Sequence, residues 1–454
     1  MIARPSSVSR LARTALQSVL FRAVAVALAC HTAIAPLRSG ELDYGETYAV
    51  VVGVLHWQND SWSSFSDANR QDQLLYDTLI ENGMPEENGA LLLDDQATLK
   101  QIESELQRVA ASAPVESTLI FYYAGHGTCV TPDKFCFANY DMSGPESGLD
   151  VDRIGEILTR SFRGRRVLLF ADCCHSGSLR RVVDALAETG IEAACVTSVV
   201  SNRLSTGNWT FTQTLLEGLR GDACVDFDGD GEIELSELDR AVSEAMAFRE
   251  SQKSGFSSER LSGEFVLRAT SAAFEDAGES ERHAIGGHVT APRDERPAVG
   301  KIVGRDGEEL LVRFYSYSSS EDLPLPPDEV EPIEPMRFEL GAEVIPLGRS
   351  SGTTATVARH DGPFHWIVFP EWTEEPGRWV IGRHLRPADD SSAEVANAMV
   401  VEAMVEWQGR WYPAAILESD GERTLIHYIG YDSSWDEWVP PERIRRKPAE
   451  AAEE

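Results

Sequence analysis

From Tyr48 to about Arg268 the chain alternates short apolar runs with amphipathic helical stretches, and beyond Ala298 the helical stretches stop. Such alternation is how a mostly parallel sheet covered by helices is written, because each return to a parallel neighbour needs a crossover that also buries a sheet face. Strands are expected at Tyr48–Leu55, Ala90–Leu93, Thr118–Tyr123, Arg166–Phe170 and Ala193–Ser198. Helices are expected at Asp72–Asn82, Thr98–Ala111, Val151–Thr159, Leu179–Glu188 and Thr210–Leu219, each with apolar residues three or four apart. Residues 41–270 therefore read as an α/β domain, and 271–297, rich in Glu, Gly, Arg and Pro, as a linker.

The remainder offers only alternating β runs, at Glu309–Tyr317, His365–Phe369, Met399–Trp407 and Thr424–Tyr428. They repeat. Leu311-Val312-Arg313-Phe314, then Ser318-Ser319-Ser320-Glu321-Asp322 and Pro326-Pro327-Asp328-Glu329-Val330, echo Ile426-His427-Tyr428, Ser433-Ser434-Trp435-Asp436-Glu437 and Pro440-Pro441-Glu442-Arg443-Ile444. A looser copy lies between them, from His365-Trp366-Ile367-Val368-Phe369 to His384-Leu385-Arg386. Units of about fifty residues suit small five-stranded barrels. Their expected bounds are 298–335, 336–388 and 398–447, with a second linker at 389–397 and an acidic tail at 448–454.

A length of 454 residues accommodates several such domains. The formal net charge of -33 opposes a nucleic-acid backbone as the main partner and favours cationic ones. Seven cysteines are too few and too unevenly spaced for a disulfide framework, and Cys173-Cys174 are adjacent; Cys129 and Cys136 are a candidate pair only in an exported chain. Within residues 1–40, Arg4, Arg10 and Arg13 precede Val24-Ala25-Val26-Ala27-Leu28-Ala29, which resembles the charged and apolar regions of a signal segment, interrupted by Arg22. Export and a cytoplasmic chain with a disordered N-terminus stand as alternatives. No other stretch approaches the run of about 18 apolar residues that a membrane span requires.

Two apolar strands run into chemistry. Leu119-Ile120-Phe121-Tyr122-Tyr123 leads to Ala124-Gly125-His126-Gly127, and Val167-Leu168-Leu169-Phe170 leads to Asp172-Cys173-Cys174-His175-Ser176-Gly177. In open parallel sheets reacting groups collect at the carboxyl ends of strands, where loops converge over one crevice. A thiol needs a base to become a nucleophile at neutral pH, and imidazole supplies one. His126 would take the proton of Cys174 and pass it to the leaving amine, with the backbone N–H groups of Gly127 and Cys174 binding the oxyanion. No cofactor is needed. Cys173 reads as a buried neighbour and His175 as structural.

These residues resemble the caspase superfamily, especially its metacaspase-like members, in which a histidine-glycine after an apolar strand pairs with a D-x-C-x-S-G segment. The resemblance covers Tyr48 to Arg268, including Asn208-Trp209-Thr210-Phe211-Thr212, and departs from animal caspases in having Asp172 where their signature has glutamine. It implies a caspase-like fold and a cysteine endopeptidase acting on polypeptides through a thioester. Asp172 and Asp72 match the two pocket acids of metacaspases, which implies cleavage after Arg or Lys. Asn69-Arg70-Gln71-Asp72, with Asp94-Asp95 later, also resembles legumains, whose pocket mixes Arg with acid to accept Asn; Arg70 decides between them. A catalytically idle caspase-like scaffold is the non-enzymatic alternative. Serine hydrolases and zinc peptidases are excluded by the absence of G-x-S-x-G and H-E-x-x-H.

Asp226-Phe227-Asp228-Gly229-Asp230-Gly231, followed by Ile233 and Glu237, has the spacing of an EF-hand loop, with Asp226, Asp228, Asp230, Glu232 and Glu237 as expected Ca²⁺ ligands. The last copy of the repeat, with Trp407, Trp411, Tyr412, His427, Tyr428, Tyr431, Trp435 and Trp438, resembles Tudor-like and chromo-barrel modules of SH3-like form. The aromatics there are either core or a cage for a basic or methyl-lysine-bearing partner.

Overall fold

The computed structural model describes residues 40–67, 69–200, 207–270, 283–294, 296–315, 317, 321–333, 335–346, 354–369, 377–388, 403–407, 410–419, 423–428 and 437–446. The segment 1–39, on which the export reading rests, and the tail 448–454 lie outside these residues. Among the described residues no helix is long and apolar enough to cross a membrane.

The first part is a six-stranded sheet formed by β1 (Thr47–Gly53), β2 (Gly89–Leu93), β3 (Thr118–Ala124), β7 (Arg166–Asp172), β8 (Glu192–Thr197) and β10 (Gly255–Glu259). Their order is β10-β8-β7-β3-β1-β2, all parallel except β10. The helices are α1 (Gln71–Glu81), α2 (Leu99–Ser112), α3 (Val151–Ser161), α4 (Arg180–Glu188), α5 (Thr210–Arg220) and α6 (Leu235–Glu250). Alternate residues of each strand feed opposite layers, as a period of two requires. Val50, Val52, Phe121, Tyr123, Val167 and Leu169 pack under α2, α3 and α4, whereas Val51, Ile120, Tyr122, Leu168 and Phe170 pack under α1, α5 and α6. Both faces being covered explains why these strands are near-continuous apolar runs.

Local chemistry sets the helix ends. Thr98 and Asp150 cap α2 and α3 by accepting from the amides of Gln101 and Asp152, satisfying donors that a helix start leaves free. Two features were not legible in the periodicity. A hairpin, β4 (Gly127–Thr131) and β5 (Lys134–Phe137), joins the short β6 (Leu149–Asp150) in a separate three-stranded sheet, and β9 (Glu232–Glu234) pairs with β11 (Val266–Ala269). Cys129 faces Phe135 and Cys136 faces Thr128 across that hairpin, so their side chains point to opposite faces; both thiols are free. The candidate disulfide is thereby overturned.

Three five-stranded antiparallel sheets follow. The first comprises β12 (His288–Arg293), β13 (Arg296–Asp306), β14 (Glu309–Phe314), β15 (Leu323–Leu325) and β16 (Glu331–Pro332). The second has β17 (Glu343–Pro346), β18 (Ala355–Asp361), β19 (Phe364–Val368), β20 (Gly377–Ile381) and β21 (Leu385–Pro387). The third has β22 (Ala403–Trp407), β23 (Arg410–Ser419), β24 (Thr424–Tyr428), β25 (Glu437–Val439) and β26 (Ile444–Arg446). All share one order, fourth-third-second-first-fifth, and each second strand carries a bulge, at Ile302/Gly304, Val357/Arg359 and Ile416/Glu418. A 3₁₀ turn precedes the last strand in every copy. The repeat read from the sequence is thus a structural one.

The first module begins inside the stretch read as linker. Strand β12 supplies the buried Val289 and Ala291, an alternation that Pro292, Pro297 and the surrounding charges disguise. This module docks on α5 through buried charges: Lys301 pairs with Glu217, while Arg313 reaches Glu217 at 3.5 Å, Asp222 at 2.5 Å and Asp322 at 2.9 Å. The second module docks on the end of α6, where Ala247 and Phe248 pack against Phe364 and Ile381.

Candidate active site

Strands β3 and β7 are direct parallel neighbours, and their last residues, Ala124 and Asp172, are register partners. His126 and Cys174 each stand two residues beyond that pair, so both follow the carboxyl edge of one sheet. The loops touch. Gly125 N–H donates to the Asp172 carbonyl at 3.3 Å, and a Cβ built on Gly127 would stand 1.8 Å from the Cys174 carbonyl oxygen. Only glycine allows that approach. Cys174 is partly exposed and in no disulfide, whereas Cys173 is 2% exposed and burial drives its thiol well above the ordinary range. His175 adopts a left-handed backbone and its carbonyl accepts from Ser178, a turn-forming role.

His126 lies in a nest of aromatics: its ring is 4.5 Å from Trp57, 4.6 Å from Phe65 and 5.5 Å from Trp62, measured between centroids. Its Nε2 donates to the Ser63 carbonyl at 2.7 Å. A carbonyl only accepts, so Nε2 carries the proton and Nδ1 keeps the lone pair. Desolvation lowers the imidazole below its usual 6.5, against the bond to Ser63, and so keeps it neutral and able to act as a base. The sequence reading missed Trp57, Trp62, Ser63 and Phe65. Their signal was an aromatic-rich loop directly after the first strand.

Beside these groups lies a cavity of about 200 Å³, lined by Leu55, Phe65, Ala124, Asp172, Asn208 and Trp209 among others. Asp172 accepts from Thr212 Oγ1 at 2.8 Å, and desolvation lifts its carboxyl to about 7. Asp72 does not line this cavity. It is fully buried behind Gly53, where a Cβ would stand 1.7 Å from its Oδ2, and Arg70 Nε donates to it at 2.8 Å. Arg70 also grips Asp94 and donates to the Gly53 carbonyl at 3.0 Å. Burial opposes its charge, yet the two carboxylates raise its affinity for the proton. Arg70 is therefore neither a solvated surface residue nor a free cation in the cavity. It ties α1 to Asp94, whose Oδ1 accepts from Leu55 and His56 and thereby anchors the loop carrying the aromatic nest.

In the acidic loop, Asp226, Asp228 and Glu237 bring carboxylate oxygens within 4.8 Å of one another, while Asp230 and Glu232 group instead with Glu234. Asp226 accepts from the amides of Gly229 and Gly231, and Glu237 from those of Phe227 and Glu234, so the loop is closed around its own carboxylates. Burial, then the Glu237 carboxylate, lifts Glu234 to about 8. An all-oxygen donor set of this kind fits a hard divalent cation.

The aromatics of the β modules carry cations of their own chain. Arg359 stands over Trp366 and Trp379 at 5.2 and 5.5 Å, Lys253 over Trp379 at 5.0 Å, Arg293 over Tyr317 at 4.1 Å and Arg445 over Trp411 at 3.8 Å. A cage for an external ammonium would have to displace them. Tyr412 packs on the third module's core. Tyr431 and Trp435 lie outside the described residues, as do the side chains of Trp407, His427, Tyr428 and Trp438.

Residues 47–266 match the family model of the caspase domain, and residues 398–446 that of the Tudor-knot, described as the RNA binding activity-knot of a chromodomain. No curated protein matches the chain. Among solved structures, a protein of Geobacter sulfurreducens is 18% identical, with 47% of this chain and 93% of its own covered and a TM-score of 0.34. Caspase-1 of Spodoptera frugiperda is 16% identical, with 50% and 92% covered and a TM-score of 0.35.

Proposed function

We propose that the caspase domain of residues 47–266, a cysteine peptidase-type fold, works as an endopeptidase that cleaves polypeptides after Arg or Lys. Cys174 Sγ bonds to the scissile carbonyl carbon as Nδ1 of His126 takes the thiol proton, and the N–H groups of Gly127 and Cys174 receive the oxyanion. Collapse breaks the carbon–nitrogen bond and the imidazolium protonates the leaving amine; water, deprotonated by the same imidazole, then bonds to the thioester carbon, the carbon–sulfur bond breaks, and the proton returns to Cys174 Sγ. The observation that carries this reading is the pairing of Ala124 with Asp172, which aligns the two reactive loops. The acid in the adjacent cavity favours a cationic side chain. Arg70, already neutralised by Asp72 and Asp94, gives little support to the Asn-directed alternative.

The test is a panel of fluorogenic peptides ending in Arg, Lys, Asn or Asp, given to the wild type and to Cys174→Ala. Turnover of the Arg and Lys peptides that disappears in the variant is the expected result. A wild type that cleaves none of the peptides would leave a scaffold as the better reading, turnover surviving in Cys174→Ala would remove Cys174 as the nucleophile, and preference for Asn would replace the residue assignment.

We further propose that Asp226, Asp228 and Glu237, with Asp230 and the Glu232 carbonyl drawn in, hold Ca²⁺ and fix the loop between α5 and α6. Calcium should raise the melting temperature by several degrees over chelated protein, and Asp226→Asn should abolish the difference. Equal melting and equal peptide cleavage with and without chelator would refute it. The β modules are proposed to recruit the polypeptide substrate or a basic partner, a methylated lysine being admitted only where it displaces the resident arginine.

A further inference from the structure

Glu250, the last residue of α6, is 1% exposed. It accepts from Asn208 Nδ2 at 3.3 and 3.1 Å, one bond to each carboxylate oxygen, and from Thr210 Oγ1. Asn208 and Asp172 both line the cavity. Since a carboxylate can only accept, the Asn208 amide must turn its NH₂ to Glu250, which leaves its Oδ1 as the end available to the cavity. Asp172 likewise accepts from neutral donors, the hydroxyls of Thr212 and Ser198 and the Thr212 amide. Asp172 thus lines the cavity while Glu250 is buried behind Asn208, and the charge of Glu250 adds to the upward push that burial exerts on Asp172. The apolar walls formed by Leu55, Phe65 and Trp209 suit a methylene stem.

The end of α6 is itself held by the second β module. Arg383 Nη2 donates to the Phe248 carbonyl at 2.7 Å, an acceptor that the helix terminus leaves open, and to the Ser251 hydroxyl at 3.4 Å. Lys253 pairs with Asp361 at 2.5 Å.

We propose that Glu250 is a positioning residue of the specificity pocket: anchored by the second β module, it orients Asn208 so that its Oδ1 joins the Asp172 carboxyl as a pair of acceptors on one wall of the cavity, which takes a guanidinium or ammonium side chain in preference to an amide. This deepens the basic-residue reading above and rests on it for the identity of the ligand, though not on catalysis. Against the Asp172–Asn208 wall a neutral amide such as Asn brings only one NH₂ group and no charge, whereas an Arg side chain would satisfy Asp172 and Asn208 together.

Binding to the Cys174→Ala protein tests the proposal without turnover. Calorimetry with acetyl-arginine methylamide and acetyl-asparagine methylamide should show that adding Glu250→Gln weakens the arginine probe by about tenfold or more and leaves the asparagine probe unchanged. Asn208→Leu, which spares Glu250, should weaken the arginine probe similarly, and covers the case in which Glu250→Gln does not fold. Arg383→Ala should weaken it by about threefold or more. Unchanged arginine affinity in both pocket variants, or equal loss for both probes, would overturn the proposal, and unchanged affinity in Arg383→Ala would remove the module from it. Arginine-probe binding that depends on Glu250 in a protein whose wild type cleaves nothing would sink the peptidase reading alone.

Discussion

Replacement of His126 by Ala is expected to lower kcat on Arg peptides by on the order of 10⁴-fold while leaving KM nearly unchanged, because in the proposed mechanism one imidazole both takes the thiol proton and delivers it to the leaving amine. His126 is not among the residues lining the cavity, so ground-state binding should survive. Its ring does fill space among Trp57, Trp62 and Phe65. His126→Phe therefore serves as the companion variant: it keeps a ring in the nest, has no nitrogen, and should be as inactive as Ala. The wild type should show an acid limb in kcat below pH 6.5. Burial depresses the imidazole, so protonation removes the base only under that pH. Both variants should lack the limb. Activity within tenfold of the wild type in either would show that the proton goes elsewhere.

The second large effect concerns stability. Lys301 and Glu217 have side chains only 4% and 5% exposed, and they join the first β module to α5. Removing one member of such a pair strands the other charge in a medium that cannot solvate it, so Lys301→Met is expected to cost about 3–5 kcal/mol. Arg313, 3.5 Å from the other Glu217 oxygen, moderates the loss without replacing it. Pairing the change with Glu217→Met should recover much of it, since two apolar groups of similar volume leave no buried charge unpaired and Arg313 keeps Asp222 and Asp322. Denaturant unfolding of the two single variants and the double variant measures the coupling. A single variant within 1 kcal/mol of the wild type would mean that water reaches Glu217.

How much of this was written plainly in the sequence depends on how local the cause is. The five parallel strands and the helices between them announce themselves because their apolar periodicity arises from their own residues. His126 and Cys174 are equally visible, each following an apolar run within a short motif. The disposition of Arg70 is not. Its role depends on Asp94, which arrives from the far end of β2 and competes with Asp72 for the guanidinium. Glu250 is hidden for the same reason: nothing near it in sequence marks the end of α6 as the support of a cavity residue, and Asn208 reaches it from forty-two positions away. Strand β12 escaped notice because its alternation spans few residues and includes Pro292, which usually argues against a strand.

The matched ends of β3 and β7 have a genetic corollary. Shifting one strand against the other by a single position would turn its side chains to the wrong layer and, in the same movement, separate the thiol from the imidazole. A screen for inactive alleles should accordingly recover substitutions at interior positions such as Leu168 and Phe121 alongside those in the two loops, and phenotype alone would not tell them apart.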